Sequence, residues 1–465
     1  MVDLPQLDRI RDTLAEQWDR ALDRTVRVAV TGLSQSGKTV FITSLINQLL
    51  NPERLPHLQA AAEERILASR LQTLPELRVP EFPYAENIAA MSGASPHWPA
   101  PTDRVRAARV ALRARIQRRL LPDSEQTIYV DIIDYPGEWL LDLPLLELSY
   151  EQWSRQVQVQ CEQEPRRSLA REWLDFVASV DPAAAVDEEL IRRGQALYVD
   201  FLQRCKNSEH VLSYLQPGRF VLPGDLAGAP ILAFFPLPSS DAAKYDKHSL
   251  HTTLRARYEA YKEQVVRRFY KEEFSRFDRQ IVLVDVLKAL HHGPATFRDM
   301  QEAIGVVLQS FNYGKSGLLN RLFKNKIDKL LFAATKADHV ADNQHTALRM
   351  LLESLVSDAA RELRFQGIDL ATLAIASVRC TRTVGAQVQG RTLSCLEGVT
   401  KDSDRSRILF PGEVPETVPS EDAWGRDRFN FLEYRLPRFE ALERSALPHI
   451  RLDQALQFLI GDKLA

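Results

Sequence analysis

The 465-residue sequence holds only four cysteines, Cys161, Cys205, Cys380 and Cys395, widely spaced and without a CxxC pair. That scarcity excludes a disulfide framework and a zinc ribbon, and suits reduced thiols in a cytoplasmic protein. Net charge is nearly absent as well: 60 Lys and Arg against 62 Asp and Glu leave −2. No overall field draws the molecule to nucleic acid or to an acidic membrane, so no specific nucleic-acid partner is expected and a charged partner must be met by a local patch. Long hydrophobic runs are missing too. The longest, from Leu226 to Pro238, is about a dozen residues with three prolines, short of the roughly 20 that cross a bilayer. The first 24 residues alternate charge with Leu4, Leu7, Ile10, Leu14, Trp18 and Leu22, a spacing that predicts an amphipathic helix over 1–24 rather than a signal peptide. The expected location is the cytoplasm, with a peripheral position at the inner membrane as the alternative.

What is present is an ordinary folding composition, 45% hydrophobic and 26% charged, in a chain long enough for two or three domains. Residues 26–31, VRVAVT, are a β-branched run that leads into Gly32-Leu33-Ser34-Gln35-Ser36-Gly37-Lys38-Thr39 and then into VFITSLINQLL, apolar at helical spacing. Strand, GxxxxGK[ST] and helix in that order are the context of a P-loop. Glycines let the backbone wrap closely, and the amides from Ser34 to Thr39, with Val40 beside them, point at phosphate oxygens near the positive end of the helix. Lys38 is placed to bridge the β- and γ-phosphates, and the Thr39 hydroxyl to ligate Mg2+. A second GKSG run at Gly314–Gly317 lacks the leading glycine, since position 309 is Gln309, and reads as a loop.

Two further strand-ending motifs follow. The strand 127–133, TIYVDII, ends at Asp134-Tyr135-Pro136-Gly137. A carboxylate there can hold Mg2+ through a water, and the Gly137 amide can meet a γ-phosphate, whose loss releases the loop. Residues 329–334, KLLFAA, lead into Thr335-Lys336-Ala337-Asp338. Asp338 can accept from the N1–H and the 2-amino group of guanine, whereas adenine would leave a buried charge unpaired. Lys336 offers its stem to the base and steadies the P-loop. After the next strand come Ser377, Val378 and Arg379, where a backbone amide, that of Val378, reaches the guanine 6-oxygen.

The ordered set GLSQSGKT, DYPG, TKAD and ASVR resembles a GTPase of the translation-factor-like P-loop class, which includes Ras and the heterotrimeric G-protein α subunits. Through GLSQSGKT, DIIDYPGEW and TKAD together the sequence is similar to the bacterial YcjX family of stress-associated P-loop proteins, over most of the chain. The resemblance implies an α/β fold, a P-loop NTPase with a Ras-like, mostly parallel sheet. It also implies bound GTP or GDP with Mg2+, slow GTP hydrolysis in a nucleotide-dependent switch tied to stress response, and a protein effector, with the inner membrane face as one place for it. Lys38, Thr39, Asp134, Lys336 and Asp338 are then nucleotide and metal contacts, and Lys38, Asp134, Gly137 and Glu138 the catalytic set. Two departures stand out: Thr335 replaces the usual Asn, as in the dynamin group, and Glu138 stands where Ras-like proteins place the water-orienting glutamine. An ATPase or small-molecule kinase is opposed by TKAD. A scaffold with little turnover is the alternative from another class, and Glu138 supports it.

Core strands are expected at 26–31, 128–133, 281–285, 329–334 and 371–376, which divides the chain into 1–24, a first core segment 25–138, a large α-helical insertion domain 139–279, and a second core segment 280–465 with a C-terminal extension. The insertion resembles the helical domain of G-protein α subunits in architecture alone. The Mg2+-sensing residue of the first switch falls within 51–126, with Ser92, Ser95 and Thr102 as candidates. Residues 400–427 read as a surface loop. Asp103–Leu121 carries arginines at 104, 106, 109, 113, 115, 118 and 119 and an apolar stripe at Val105, Ala108, Leu112, Ile116 and Leu120, so it is expected to form an amphipathic basic helix. Its arginines would be solvated, or meet anionic lipid or an acidic partner, or reach the nucleotide in cis. The ten histidines form no ligand cluster, and His291 and His292 are expected on a loop.

Overall fold

The computed structural model describes residues 24–75, 79–101, 104–117, 123–238, 245–311, 327–388, 390–425, 429–439 and 446–465. The amphipathic helix expected over 1–24 and the GKSG run at 314–317 lie outside the described residues. Along the chain come β1 (Thr25–Gly32), α1 (Lys38–Leu50), β2 (Ile66–Gln72), α2 (Tyr84–Ser92), β3 (Arg106–Ile116) and β4 (Ser124–Asp134). Helices α3 (Tyr150–Gln160), α4 (Arg171–Ala178), α5 (Glu188–Asn207) and α6 (Leu250–Tyr261) follow, then β5 (Arg279–Val284), α7 (Val286–His292) and α8 (Pro294–Ser310). The chain continues through β6 (Lys329–Ala334), α9 (His345–Phe365), β7 (Asp369–Ala374), β8 (Arg382–Val388), β9 (Arg391–Val399), β10 (Ser406–Leu409) and α10 (Leu452–Ile460).

The chain divides into two compact units: residues 1–135, 277–287 and 327–465 form one, and 136–276 with 288–326 form the other. In the first, seven strands run in the order β2-β3-β4-β1-β5-β6-β7. All neighbours are parallel except those of β3, which is antiparallel to both β2 and β4. Every residue of β1 is buried, as a central parallel strand covered on both faces requires. On one face Val26, Val28 and Val30 join Phe41, Ile42, Leu45, Ile46 and Leu49 of α1 and Leu452, Leu456 and Leu459 of α10 in one aliphatic core. Each such side chain contributes roughly 2 kcal/mol by leaving water. Helix α9 packs along β6 and β7.

The five expected core strands are all present. The basic helix expected over 103–121 is not: residues 106–116 are β3, paired with β4 residue by residue from Arg106 opposite Asp134 to Ile116 opposite Ser124. Ala108, Val110, Leu112 and Ala114 also recur with period two, and these face the aliphatic core. Pairing with β4 decides between the two periods. It also gives Arg109 a buried partner, since its guanidinium donates to both Asp131 oxygens at 2.6 and 2.8 Å. Arg113 bonds Glu125 across the strands at 2.6 Å, so the arginines do not line one helical face. The lipid, acidic-partner and cis-arginine readings of that helix lose their basis, and Arg118 and Arg119 lie outside the described residues.

Residues 382–409 hold a three-stranded meander, β10-β9-β8. Its first hairpin closes between Val388 and Arg391 over two residues, with Gly390 at φ +79. Part of the loop expected over 400–427 is therefore strand β10. His291 and His292 close α7 rather than lying on a loop.

The second unit is helical and aromatic. Trp153 stacks on Tyr258 with centroids 5.1 Å apart and Trp173 on Phe201 at 5.9 Å, with Tyr198 edge-on to Trp153. Helix α8, from the stretch 280–465, belongs with this unit, where Asp299 pairs with Arg166 and accepts the Tyr214 N–H at 3.1 Å.

Candidate functional site

Parallel pairing brings the carboxyl ends of β1, β4, β5, β6 and β7 to one edge: Val30 is level with Asp134, Gly32 with Leu283, Val284 with Ala334, and Ala334 with Ala374. Ligands of open α/β sheets bind at that edge, and every strand-ending motif of the sequence emerges there.

Between β1 and α1 the chain turns tightly. Leu33 N–H donates to the Leu283 carbonyl at 3.0 Å, and Ser36 N–H to the Leu33 carbonyl at 3.1 Å. A side chain at Gly32 would collide with the Ser36 hydroxyl and the backbone of Leu283. Gln35 and Gly37 have φ of +60 and +82, left-handed backbone of the kind that curls a loop so its amides converge on an anion. Helix α1 then starts with no side-chain cap and no acid in its first turn, which leaves its positive end for a ligand. The buried hydroxyl oxygens of Ser34 and Ser36 have no hydrogen-bond partner among the described residues. A phosphate supplies the acceptors such groups lack. Val40, the third residue of α1, is half-buried.

Lys38 and Asp134 meet here, the ammonium pairing with Asp134 Oδ1. Asp134 is fully buried and its Oδ2 has no partner among the described residues; Thr39 is 8% exposed. One unspent carboxylate oxygen and one threonine hydroxyl fit Mg2+, which takes one or two protein oxygens and completes its shell with phosphate and water. Tyr135, next in the chain, is anchored by its hydroxyl, which donates to Gln280 at 3.1 Å, and by stacking on Phe277 at 5.5 Å. Burial pushes its phenol well above the ordinary range.

At the other end of the strand edge, Thr335 N–H donates to the Val284 carbonyl at 3.0 Å and Ala337 N–H to the Ile375 carbonyl at 2.9 Å. These bonds fix the TKAD turn, in which Lys336 has φ +60. Burial works against the Lys336 ammonium, but Asp285 at 2.7 Å and Glu433 at 3.4 Å outweigh it and hold its pKa above the ordinary value. Asp338 is 4% exposed. Its Oδ2 accepts the Cys380 N–H at 2.9 Å, and its carbonyl accepts the Thr381 hydroxyl. Asp338 is thus aimed along the loop that holds Ser377, Val378 and Arg379. Ser44 of α1 donates to the Ser377 carbonyl, Val378 is buried, and Arg379 N–H donates to the Pro448 carbonyl at 2.7 Å.

Gly137 and Glu138 belong to the helical unit, where Glu138 is 7% exposed and accepts from Lys206 at 2.8 Å. Ser92 ends α2 with its hydroxyl on the Ile88 carbonyl at 2.7 Å, Ser95 is exposed, and Thr102 lies outside the described residues. Sequence reasoning missed Asp285, although its signal, an acid at the end of a buried apolar strand, is the one that marked Asp134. Glu433 carried no signal, because an irregular segment brings it to Lys336 across 97 residues of chain.

Comparison with known proteins agrees with this architecture. The family model for the YcjX-like family, DUF463, matches residues 26–464. The chain is 44% identical over 469 residues to the "Ras-like GTPase YcjX" of Escherichia coli (strain K12), covering 98% of this chain and 100% of that protein. It is 38% identical over 468 residues to the "Ras-like GTPase YcjX" of Shewanella oneidensis, covering 96% of each. With the P-loop, the strand-end aspartate and the TKAD turn at one edge of a mostly parallel sheet, and with these matches end to end, the chain belongs to the YcjX-like family.

Proposed function

We propose that this protein binds GTP and GDP with Mg2+ and hydrolyses GTP slowly, acting as a nucleotide-dependent switch. The observation that carries the reading is the set of unspent buried polar atoms at the strand edge, the hydroxyls of Ser34 and Ser36 and Asp134 Oδ2, beside an ammonium. The names of the relatives, both Ras-like GTPases, support GTP as the nucleotide.

In this reading the backbone from Ser34 to Val40 cradles the phosphates, and Lys38 turns from Asp134 toward the β- and γ-oxygens. Thr39 and Asp134 would hold Mg2+, which supplies charge neutralisation during phosphoryl transfer. Asp338 accepts from guanine N1–H and the 2-amino group, the Lys336 stem covers the base, and in the loop of Ser377, Val378 and Arg379 the Val378 amide meets the 6-oxygen. The family resemblance assigns the Gly137 amide to the γ-phosphate and its release on hydrolysis to the switch. Glu138 is engaged by Lys206 within the helical unit. A carboxylate held in an ion pair is a poor base, and slow turnover follows. The stress-response role and the protein effector rest on the family resemblance. Competition of GTP and ATP for the protein in the presence of Mg2+ tests the reading: GTP should displace a bound guanine nucleotide analogue while ATP does not, and equal displacement would refute guanine selection.

A further inference from the structure

A second concave site lies in the sheet unit, apart from the P-loop. It is a cavity of about 540 Å3 whose wall includes three arginines, Arg54, Arg379 and Arg451, and three histidines, His57, His345 and His449. The first residues of two helices line it, His345 of α9 and the stretch from Arg451 into α10, and their leading amides are spent, His345 N–H on the Asp342 carbonyl and Leu452 N–H on His449 Nδ1 at 3.3 Å. Two acids also line it, but the protein already uses both. Asp342 pairs with Arg379 at 3.4 Å, and Asp453 accepts the His57 N–H at 3.1 Å and the Gln454 N–H at 2.9 Å.

The cations are less committed. Arg451 donates to the Ala374 carbonyl at 3.2 Å, which uses one of its five N–H donors, and Arg54 makes no side-chain hydrogen bond or ion pair among the described residues. His345 is 5% exposed, and its Nε2 is buried without a hydrogen-bond partner, with Asp342 at 3.8 Å. Its other ring nitrogen is committed to the Ala337 carbonyl. With its proton on that nitrogen, the neutral ring carries a lone pair at Nε2. Burial, then Arg451 and Arg379, lower the His345 pKa against Asp342 and the Ala337 bond, so the neutral ring is favoured and the guanidinium groups are the donors.

Histidines and aspartates together could suggest a cation, but among the described residues no three His, Cys, Asp or Glu side chains converge to hold a metal. Underused guanidinium groups gathered on one concave wall are instead the chemistry that binds a compact dianion. We propose that this cavity binds a phosphate group, either inorganic phosphate or the phosphomonoester of a small molecule, through Arg54 and Arg451. The site does not depend on the nucleotide reading.

The test uses the full chain carrying Lys38→Ala, which weakens the competing phosphate site at the P-loop. Calorimetric titration with inorganic phosphate and, separately, with glucose 6-phosphate should show saturable binding. Arg54→Gln and Arg451→Gln in that background should each weaken it by at least about tenfold. A tighter response to the ester identifies an organic phosphate, and a response to phosphate alone identifies the free ion; both support the site. Arg54→Gln decides if Arg451→Gln fails to fold, because the Arg54 side chain holds no hydrogen bond or ion pair among the described residues. Absence of saturable binding by both probes up to about 10 mM, or binding unchanged by Arg54→Gln, overturns the proposal.

Discussion

Asp134 and Asp142 are eight positions apart in the sequence and both are buried, at 0% and 2% exposure, yet they do different work. Asp134 ends a strand of the sheet unit with Lys38 on one oxygen and no partner on the other. Asp142, in the helical unit, is used on both oxygens: it accepts from Gly218 N–H at 2.7 Å, Arg219 N–H at 3.3 Å and the Tyr261 hydroxyl at 2.6 Å. A buried carboxylate with an unspent oxygen awaits a ligand, whereas one whose oxygens are all spent holds its own fold together. Glu138, paired with Lys206, belongs with the spent class. Asp338 is intermediate, with one oxygen on Cys380.

The largest expected effect breaks the unspent side. Lys38→Ala removes the ammonium paired with Asp134 and should lower GTP affinity by more than about 100-fold, because a charge-assisted contact to phosphate is lost beside an uncompensated carboxylate. Fluorescent-nucleotide titration measures it, and wild-type affinity in the variant would remove the P-loop assignment. Next, Asp338→Asn should cost GTP about 100-fold while xanthosine triphosphate, whose 2-oxo group complements the amide, gains affinity. If GTP binds both proteins alike, Asp338 does not read the base.

The spent side makes a different prediction, one of stability. Burial pushes the Asp142 carboxyl up to about 6 from 3.8, against the hydrogen bonds from Tyr261, Gly218 and Arg219. The folded state therefore keeps this proton to higher pH than the unfolded chain does. The resulting stabilisation is complete below pH 3.8 and is lost as pH rises through 6. Urea unfolding should lose roughly 2 kcal/mol from this group between about pH 4.5 and 7.5, and Asp142→Asn should lack that component. Identical pH slopes for the two proteins would place the titration elsewhere. Smallest of all, Glu138→Gln should change steady-state GTP turnover by less than about tenfold, since its carboxylate is already engaged. A much larger fall would make Glu138 a working base and move it to the unspent class.

The sequence by itself determined the local features. The five parallel strands were legible as short apolar runs, and the P-loop, the strand-end aspartate and TKAD were legible because their chemistry sits in contiguous residues whose spacing is set by the backbone. Helical character over 139–279 was legible for the same reason. Tertiary structure alone decided three matters. It made 106–116 a strand: arginine, alanine and leucine fit a helix locally, but β4 offered pairing along its whole length and a buried acid for Arg109. It brought Asp285 and Glu433 to Lys336, and it gathered Arg54, His345 and Arg451 around one cavity. It also divided Asp134 from Asp142, two similar acids to the eye of the sequence. Whether a buried oxygen is spent depends on donors brought from distant parts of the chain, and those distances are closed only by folding.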